Sequence, residues 1–122
     1  MKLNHLNLCV KDLNDATGLF QDLFGFELQD RKGDAIAVMK DEEGFTLVLS
    51  CSAAFGGENP IYPEGFHVGF YVDTKEEVDR FYDRLVGANL IQPDQGAKNI
   101  RGGYSLYFKA LDGILFEITS FA

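Results

Sequence analysis

Only two histidines occur in the 122 residues, and they stand 62 positions apart, at His5 and His67. Each lies in a stretch that alternates polar with apolar residues, LNHLNLCV at 3–10 and FHVGFYV at 66–72, the pattern of a half-buried strand. Side chains alternate between the faces of a strand. Leu6, Leu8 and Val10 therefore share the apolar face of the first, and His5, Asn7 and Cys9 the other. In the second, Phe66, Val68, Phe70 and Val72 oppose His67, Gly69 and Tyr71. Near the C-terminus Ile114, Phe116 and Ile118 alternate with Glu117 and Thr119 in the same way. Two imidazoles and a carboxylate form a 2-His-1-carboxylate set, suited to Fe(II), Mn(II) or Zn(II) with coordination positions left open. Taken singly, each of the three is more simply a hydrogen-bonded strand residue. The equivalent placement of the two histidines, and the absence of any other histidine, favour a ligand set.

The equivalence extends along the chain. At a shift of 62, residues 5–28 fall on 67–90, matching His5 with His67, Val10 with Val72, Leu23 with Leu85, Gly25 with Gly87 and Leu28 with Leu90. At a shift of 69, residues 33–50 fall on 102–119, matching Gly33 with Gly102, Lys40 with Lys109 and Gly44 with Gly113. The change of shift places seven extra residues in the second copy, near Pro93–Arg101. Each copy reads as βαβββ. In the first, a strand at 3–10 leads to a helix capped by Asp12 or Asn14. That helix buries Leu13, Ala16, Phe20 and Leu23 and stops at Gly25. Strands follow near 26–31, 34–40 and 45–51, the last turning Phe45, Leu47 and Leu49 inward and Thr46, Val48 and Ser50 outward. The second copy has a strand at 65–72, a helix at 75–87 burying Val78, Phe81 and Leu85, and strands near 89–92, 104–110 and 114–120. The modules, about 1–52 and 64–122, form one domain joined by a Gly- and Pro-bearing linker, 53–63. A sheet closing into a half-barrel gathers the polar faces around a cavity.

These features resemble the vicinal oxygen chelate superfamily, which includes glyoxalase I, fosfomycin-resistance thiol transferases, extradiol dioxygenases and bleomycin-resistance proteins. The resemblance covers nearly the whole chain. It rests on the paired βαβββ plan, the opening His5-Leu6-Asn7-Leu8, the helix ending Leu23-Phe24-Gly25-Phe26, and the turn Leu111-Asp112-Gly113 leading to Phe116-Glu117-Ile118. It implies an α+β fold, two tandem βαβββ modules forming a glyoxalase-like half-barrel, with His5, His67 and Glu117 as metal ligands. Glyoxalase I takes a fourth ligand from the last strand of its first module, where this chain has Val48. That departure points to the three-ligand branches. Ser105 and Tyr107 match a serine and tyrosine that line the pocket of fosfomycin-type enzymes. The arginine those enzymes carry after the last strand has no counterpart, which points away from fosfomycin itself. Typical extradiol dioxygenases are roughly twice this length, and the usual Asp-Pro-Asp-Gly turn here lacks its proline.

The site expected from residues and resemblance together has Glu117 and Tyr107 as catalytic groups. Asn7, Thr46, Tyr71, Arg101, Ser105 and Tyr107 bind substrate, Arg101 offering a fork to an anionic group beside Gly102-Gly103. The expected cofactor is a divalent ion, Mn, Fe, Zn or Ni. Two function classes remain open: a metalloenzyme of lyase, thiol-transferase or dioxygenase type, and a metal-free small-molecule or antibiotic binder of the bleomycin-resistance kind. Cys9 reads as a reactive thiol or a small wall residue. The resemblance also implies a homodimer in which His5 of one chain meets His67 and Glu117 of the other.

Composition narrows the partners. Eleven Lys plus Arg against nineteen Asp plus Glu give a net charge of −8, the wrong sign for a phosphate backbone. No apolar run exceeds the five residues 35–39, too short to span a bilayer. Two cysteines are too few for a disulfide scaffold. A cytoplasmic domain that binds a small molecule, and neither nucleic acid nor membrane, is the expectation.

Overall fold

In a computed structural model describing residues 1–122, the elements run in two rounds, one in each of two units, Met1–Ile61 and Tyr62–Ala122. The first unit holds β1 (His5–Cys9), α1 (Leu13–Phe24), β2 (Glu27–Lys32), β3 (Ile36–Lys40) and β4 (Thr46–Ser50). The second holds β5 (His67–Tyr71), α2 (Lys75–Gly87), β6 (Lys98–Ile100), β7 (Gly103–Ala110) and β8 (Ile114–Ser120). Each unit builds an open four-stranded sheet, ordered β1-β4-β3-β2 and β5-β8-β7-β6. The first strand of each pairs in parallel with the last, and the other pairings are antiparallel. A parallel neighbour requires a long crossover, which explains why each helix follows the first strand. No helix is long and apolar enough to cross a membrane.

The helix boundaries follow from their caps. The Asp12 carboxylate accepts from the Asp15 amide at 3.0 Å, and Gly25, at φ 70°, closes α1 in the left-handed conformation that glycine adopts without strain. At α2, Thr74 is the N-cap: its hydroxyl accepts from the Glu77 amide at 3.2 Å and lies 3.4 Å from the Glu77 carboxylate. Leu13, Ala16 and Phe20 of α1 are buried with Leu8, Val10, Ala37, Met39, Leu47 and Leu49 of the sheet. The Phe20 ring meets Phe26 edge-on at 5.4 Å. In the second unit Val78 and Leu85 are buried with Leu106, Phe108, Ile114, Phe116 and Ile118. Burial of each large side chain contributes about 1.5–3 kcal/mol. These are the faces the alternation predicts, but several expected core residues are only half-buried: Leu23 and Phe81 on the helices, Phe45 beside β4, and Phe66, Val68, Phe70 and Val72 along β5, while Leu6, at the outer end of β1, stays 37% exposed.

The repeat is reproduced in the register. His5, Asn7 and Cys9 lie opposite Thr46, Val48 and Ser50. At the equivalent places His67, Gly69 and Tyr71 lie opposite Leu115, Glu117 and Thr119. One predicted element is absent: no strand forms at 89–92. The Leu90 amide instead bonds to the Leu85 carbonyl at 2.9 Å and Ile91 is buried, so these apolar residues finish the helix end. The edge strand is β6, and the seven extra residues fall in the connection 88–97 ahead of it, which overlaps the expected Pro93–Arg101 region.

Tyr104 ties sheet to helix through its hydroxyl, which donates to Asp79 of α2 at 2.6 Å. This hydrogen bond, then burial and the carboxylate charge, raise the phenol above its ordinary value of 10.0. Tyr104→Phe should lower unfolding free energy by about 0.5–1 kcal/mol, because the pair is solvent-exposed. A raised phenol pKa contributes stability that is intact below 10.0 and lost as pH climbs past it. Urea denaturation of both proteins should therefore converge in strongly alkaline buffer.

Candidate metal centre

In the second unit, β5 and β8 bring His67 and Glu117 together, and β7 adds Tyr107. His67 Nδ1 lies 2.9 Å from the Gly65 carbonyl oxygen. A carbonyl only accepts, so Nδ1 donates to it and Nε2 is the ring atom left for a second partner. Nε2 faces Glu117 Oε1 at 3.3 Å. A contact this close is held by a positive charge, either a proton on the imidazole or a metal ion between the two atoms. The separation suits two donors sharing one ion through bonds of about 2.1 Å, and a backbone carbonyl on the far nitrogen is the usual support of a metal-binding histidine. The donor set therefore fits a divalent ion.

The second carboxylate oxygen of Glu117 is already engaged: the Tyr107 hydroxyl donates to Oε2 at 2.7 Å. Register explains the meeting, since Tyr107 lies directly opposite Glu117. The Tyr107 phenol is raised from its ordinary 10.0, first by this hydrogen bond, then by burial and the carboxylate charge, with Arg101 pulling the other way. At neutral pH Tyr107 is thus a protonated donor, with Arg101 within electrostatic reach. The Glu117 side chain is 17% exposed and that of His67 41% exposed, so the pair is open to solvent from the histidine side. A hollow of about 320 Å³ adjoins Tyr107, bounded by Asp94, Gln95, Lys98, Ile100 and Ser105.

The other expected residues are placed less uniformly. Ser105 is buried and bonds to Thr119 Oγ1 at 2.6 Å across the β7–β8 ladder, so its hydroxyl is committed to the sheet. Tyr71 shares the His67 face of β5 but stacks on Phe121 at 5.9 Å, and both rings are largely exposed. In the first unit, His5 Nδ1 is 2.8 Å from Asn4 Oδ1, which likewise leaves Nε2 for another partner. Asn7 Oδ1 accepts from the Ser50 hydroxyl at 2.7 Å, with Cys9 Sγ 3.6 Å from the same hydroxyl. Thr46 lies opposite His5. Within either unit, no three His, Cys, Asp or Glu side chains gather.

Two glycines that sequence reasoning did not weigh shape the centre. Gly65 adopts φ +91°, which lets its carbonyl turn toward His67. Gly69 lies opposite Glu117, where an added Cβ would sit 3.7 Å from Oε1. A glycine inside a strand often marks such a close approach, and its replacement of the first copy's Asn7 was the available signal. Gly65→Ala should cost about 1–2 kcal/mol through left-handed strain. It should also release His67 to a mixture of tautomers, read from the ring nitrogen shifts in NMR.

Residues 2–118 match the model of the Glyoxalase/Bleomycin resistance protein/Dioxygenase superfamily. The metallothiol transferase FosB of Lysinibacillus sphaericus is 30% identical over 115 residues, covering 94% of this chain and 79% of that protein. A structure described as a possible glyoxalase from Bacillus cereus superposes with a TM-score of 0.81 at 32% identity, covering 97% of both chains. The fosfomycin resistance protein FosX of Listeria monocytogenes, crystallised with Mn(II) and sulfate, superposes with a TM-score of 0.74 at 26% identity, covering 98% of this chain and 91% of that one. With its two βαβββ units and this match along nearly its full length, the chain belongs to the glyoxalase/bleomycin resistance/dioxygenase superfamily.

Proposed function

We propose that this chain is a divalent-metal-dependent enzyme of lyase or transferase type, acting on a small molecule that presents two oxygens to the metal. The observation that carries the reading is the pairing of His67 Nε2 and Glu117 Oε1 at 3.3 Å, an imidazole nitrogen and a carboxylate oxygen close enough to share one cation. His5 is the third protein donor, and the two units work as one domain. The Mn(II) of the FosX structure supports manganese as the first ion to test. Once bound, the ion supplies Lewis acidity toward substrate oxygens. The chain's own residues do the rest. Tyr107 keeps its proton and holds Glu117 Oε2, so that the carboxylate presents Oε1. When a substrate oxygen arrives beside Glu117, the same hydroxyl is placed to donate to it. Arg101, already close enough to act on Tyr107, offers its guanidinium to an anionic group. Asn7 and Thr46 share the His5 face and orient the remainder of the substrate.

The substrate class that fits these groups is a small oxygen-rich anion. Two relatives support it: FosB, named a metallothiol transferase, and FosX, crystallised with Mn(II) and a dihydroxypropylphosphonic acid. Cys9 and Cys51 form no disulfide with one another, and a cytoplasmic setting is part of the proposal. We further propose a homodimer in which His5 of one chain completes the centre built by His67 and Glu117 of the other. Each unit's sheet has two open edges for a partner to cover.

Mn(II) titration followed by electron paramagnetic resonance tests the centre. His67→Ala or Glu117→Gln should weaken binding by about a hundredfold or more, since loss of even a supporting hydrogen bond costs about 10–100-fold. Circular dichroism should stay unchanged. A wild-type chain that takes up no divalent ion would instead establish the metal-free binding reading. Dimer exchange has a separate test: His5→Ala and Glu117→Ala chains, unfolded and refolded together, should regain one intact site per heterodimer. Recovery of none, with dimers verified by light scattering, would put all three ligands on one chain.

A further inference from the structure

The second unit leaves part of its sheet bare. In the first unit the edge strand β2 runs the full length of β3, so that Glu27 lies opposite Lys40. In the second, β6 pairs with β7 only from Lys98–Ser105 to Ile100–Gly103, and no strand covers residues 106–110 on that side. Residues 92–97, which precede β6, stand off instead. Two hollows, of about 400 and 320 Å³, lie beside them, with Gln95 and Tyr107 bounding both. Lys109, exposed and without an ion pair, lines the larger, and Asp94, equally exposed, lines the smaller.

Two sets of contacts hold the segment away. The Tyr82 hydroxyl, at the position of buried Phe20 in the first unit, donates to the Pro93 carbonyl, and the Tyr82 ring lies 3.7 Å from where a Cβ on Gly96 would stand. The Gln95 amide donates to the Gln92 carbonyl at 3.0 Å, closing a turn. Yet the same residues spell a strand that would finish the sheet. Continued back from Lys98, the β6–β7 register puts Ala97 opposite Leu106, Gly96 opposite Tyr107, Gln95 opposite Phe108 and Asp94 opposite Lys109. The last of these repeats the Glu27–Lys40 pairing of an acid with a lysine. Opposite charges directly across a sheet attract. Gly96 gives the Tyr107 ring room to lie over the neighbouring strand. Pro93 falls at the start of the strand, where a missing N–H is tolerated.

We propose that residues 92–97 are a strap that zips onto β7 as an extension of β6, switching between the tethered position and a closed one in which Asp94 pairs with Lys109. Each position satisfies backbone groups in its own way. The tethered strap uses its own turn and the Tyr82 hydroxyl, and the closed strap uses the bare edge of β7. Two such alternatives, separated by a few hydrogen bonds, are what a two-state element requires. Closing brings Gly96 against Tyr107, whose hydroxyl bonds to Glu117, and so shuts the edge side of that centre. The gating role rests on the proposed function; the strand closure does not.

Amide hydrogen exchange and NOE spectroscopy of the ¹⁵N-labelled chain test the switch. Tyr82→Phe removes the tether's donor and keeps the ring. It should slow exchange of the 106–109 amides that point away from β8 by at least tenfold, and bring NOEs between Asp94 and Lys109 and between Gly96 and Tyr107. Adding Lys109→Glu sets two carboxylates opposite one another and should return exchange to the wild-type rate. Adding Asp94→Lys as well should restore the protection. Unchanged exchange in Tyr82→Phe, a segment 92–97 that merely frays, or protection indifferent to Lys109→Glu would overturn the proposal. Full protection already present in the wild-type chain would overturn it too, since the tether would then hold nothing back. If the strap zips as expected but the wild-type chain takes up no Mn(II), the metal reading fails and the switch stands.

Discussion

A carboxylate that is four-fifths covered by protein must have its charge answered, and in this chain the answer to Glu117 organises the second unit. Its two oxygens are separated in purpose. Oε2 accepts from a protonated phenol, and Oε1 faces His67 Nε2. A positive charge between Oε1 and Nε2, whether a proton on the imidazole or a divalent ion, completes the arrangement at one defined point. The flanking features serve this geometry. Parallel pairing of β5 with β8 puts His67 and Glu117 on one face, and the antiparallel β7 puts Tyr107 opposite the carboxylate. Gly69, between them in register, leaves the carboxylate its room.

The first unit keeps the same register and spends it differently. Where the second has Gly69 and Glu117 opposed, the first has Asn7 and Val48. Valine removes the charge. Asn7 then turns to Ser50, whose hydroxyl also meets Cys9, making a neutral hydrogen-bonded set in place of a carboxylate centre. Only the histidine is common, and in both copies its Nδ1 is tied to a nearby oxygen, leaving Nε2 to face another partner, which in the second copy is Glu117. Duplication thus preserved the donor at the start of each unit, while a carboxylate stands on only one of the paired last strands. The proposed three-ligand set, with room for substrate, rests on that divergence.

Much of this was legible in the sequence because period-two alternation and helix caps are local. Asp12, Gly25 and Thr74 mark helix ends without reference to the rest of the chain. The ligand candidates were legible because the repeat made them coincide. What escaped depended on partners chosen across the sheet. Ser105 reads as a pocket hydroxyl, yet its register partner is Thr119, so two hydroxyls satisfy one another. The apolar pair Leu90-Ile91 reads as strand, but a helix end needs N–H donors for its last carbonyls, and the Leu90 amide donates to Leu85 while Ile91 is buried. The part played by Gly65 is invisible without a backbone, since a left-handed φ matters only once the His67 ring stands above its carbonyl.

The insertion illustrates why such a fold diversifies where it does. Lengthening a surface connection costs little chain entropy, about 0.6 kcal/mol for each doubling, so seven residues between helix and edge strand are tolerable if they have something to hold. Tyr82 provides the hold: replacing a buried phenylalanine of the first copy with tyrosine keeps an aromatic ring and adds one donor, which reaches Pro93. The same lengthening withdraws the edge strand from half of β7, so Lys109 loses the neighbour that Lys40 keeps. An edge left bare invites chain-to-chain pairing. The tethered segment beside it, with its carboxamides, turns that liability into a walled hollow whose charge is opposite to that of the whole chain. Change in one connecting segment thus alters the surroundings of Tyr107 while the register that holds Glu117 stays as the repeat set it.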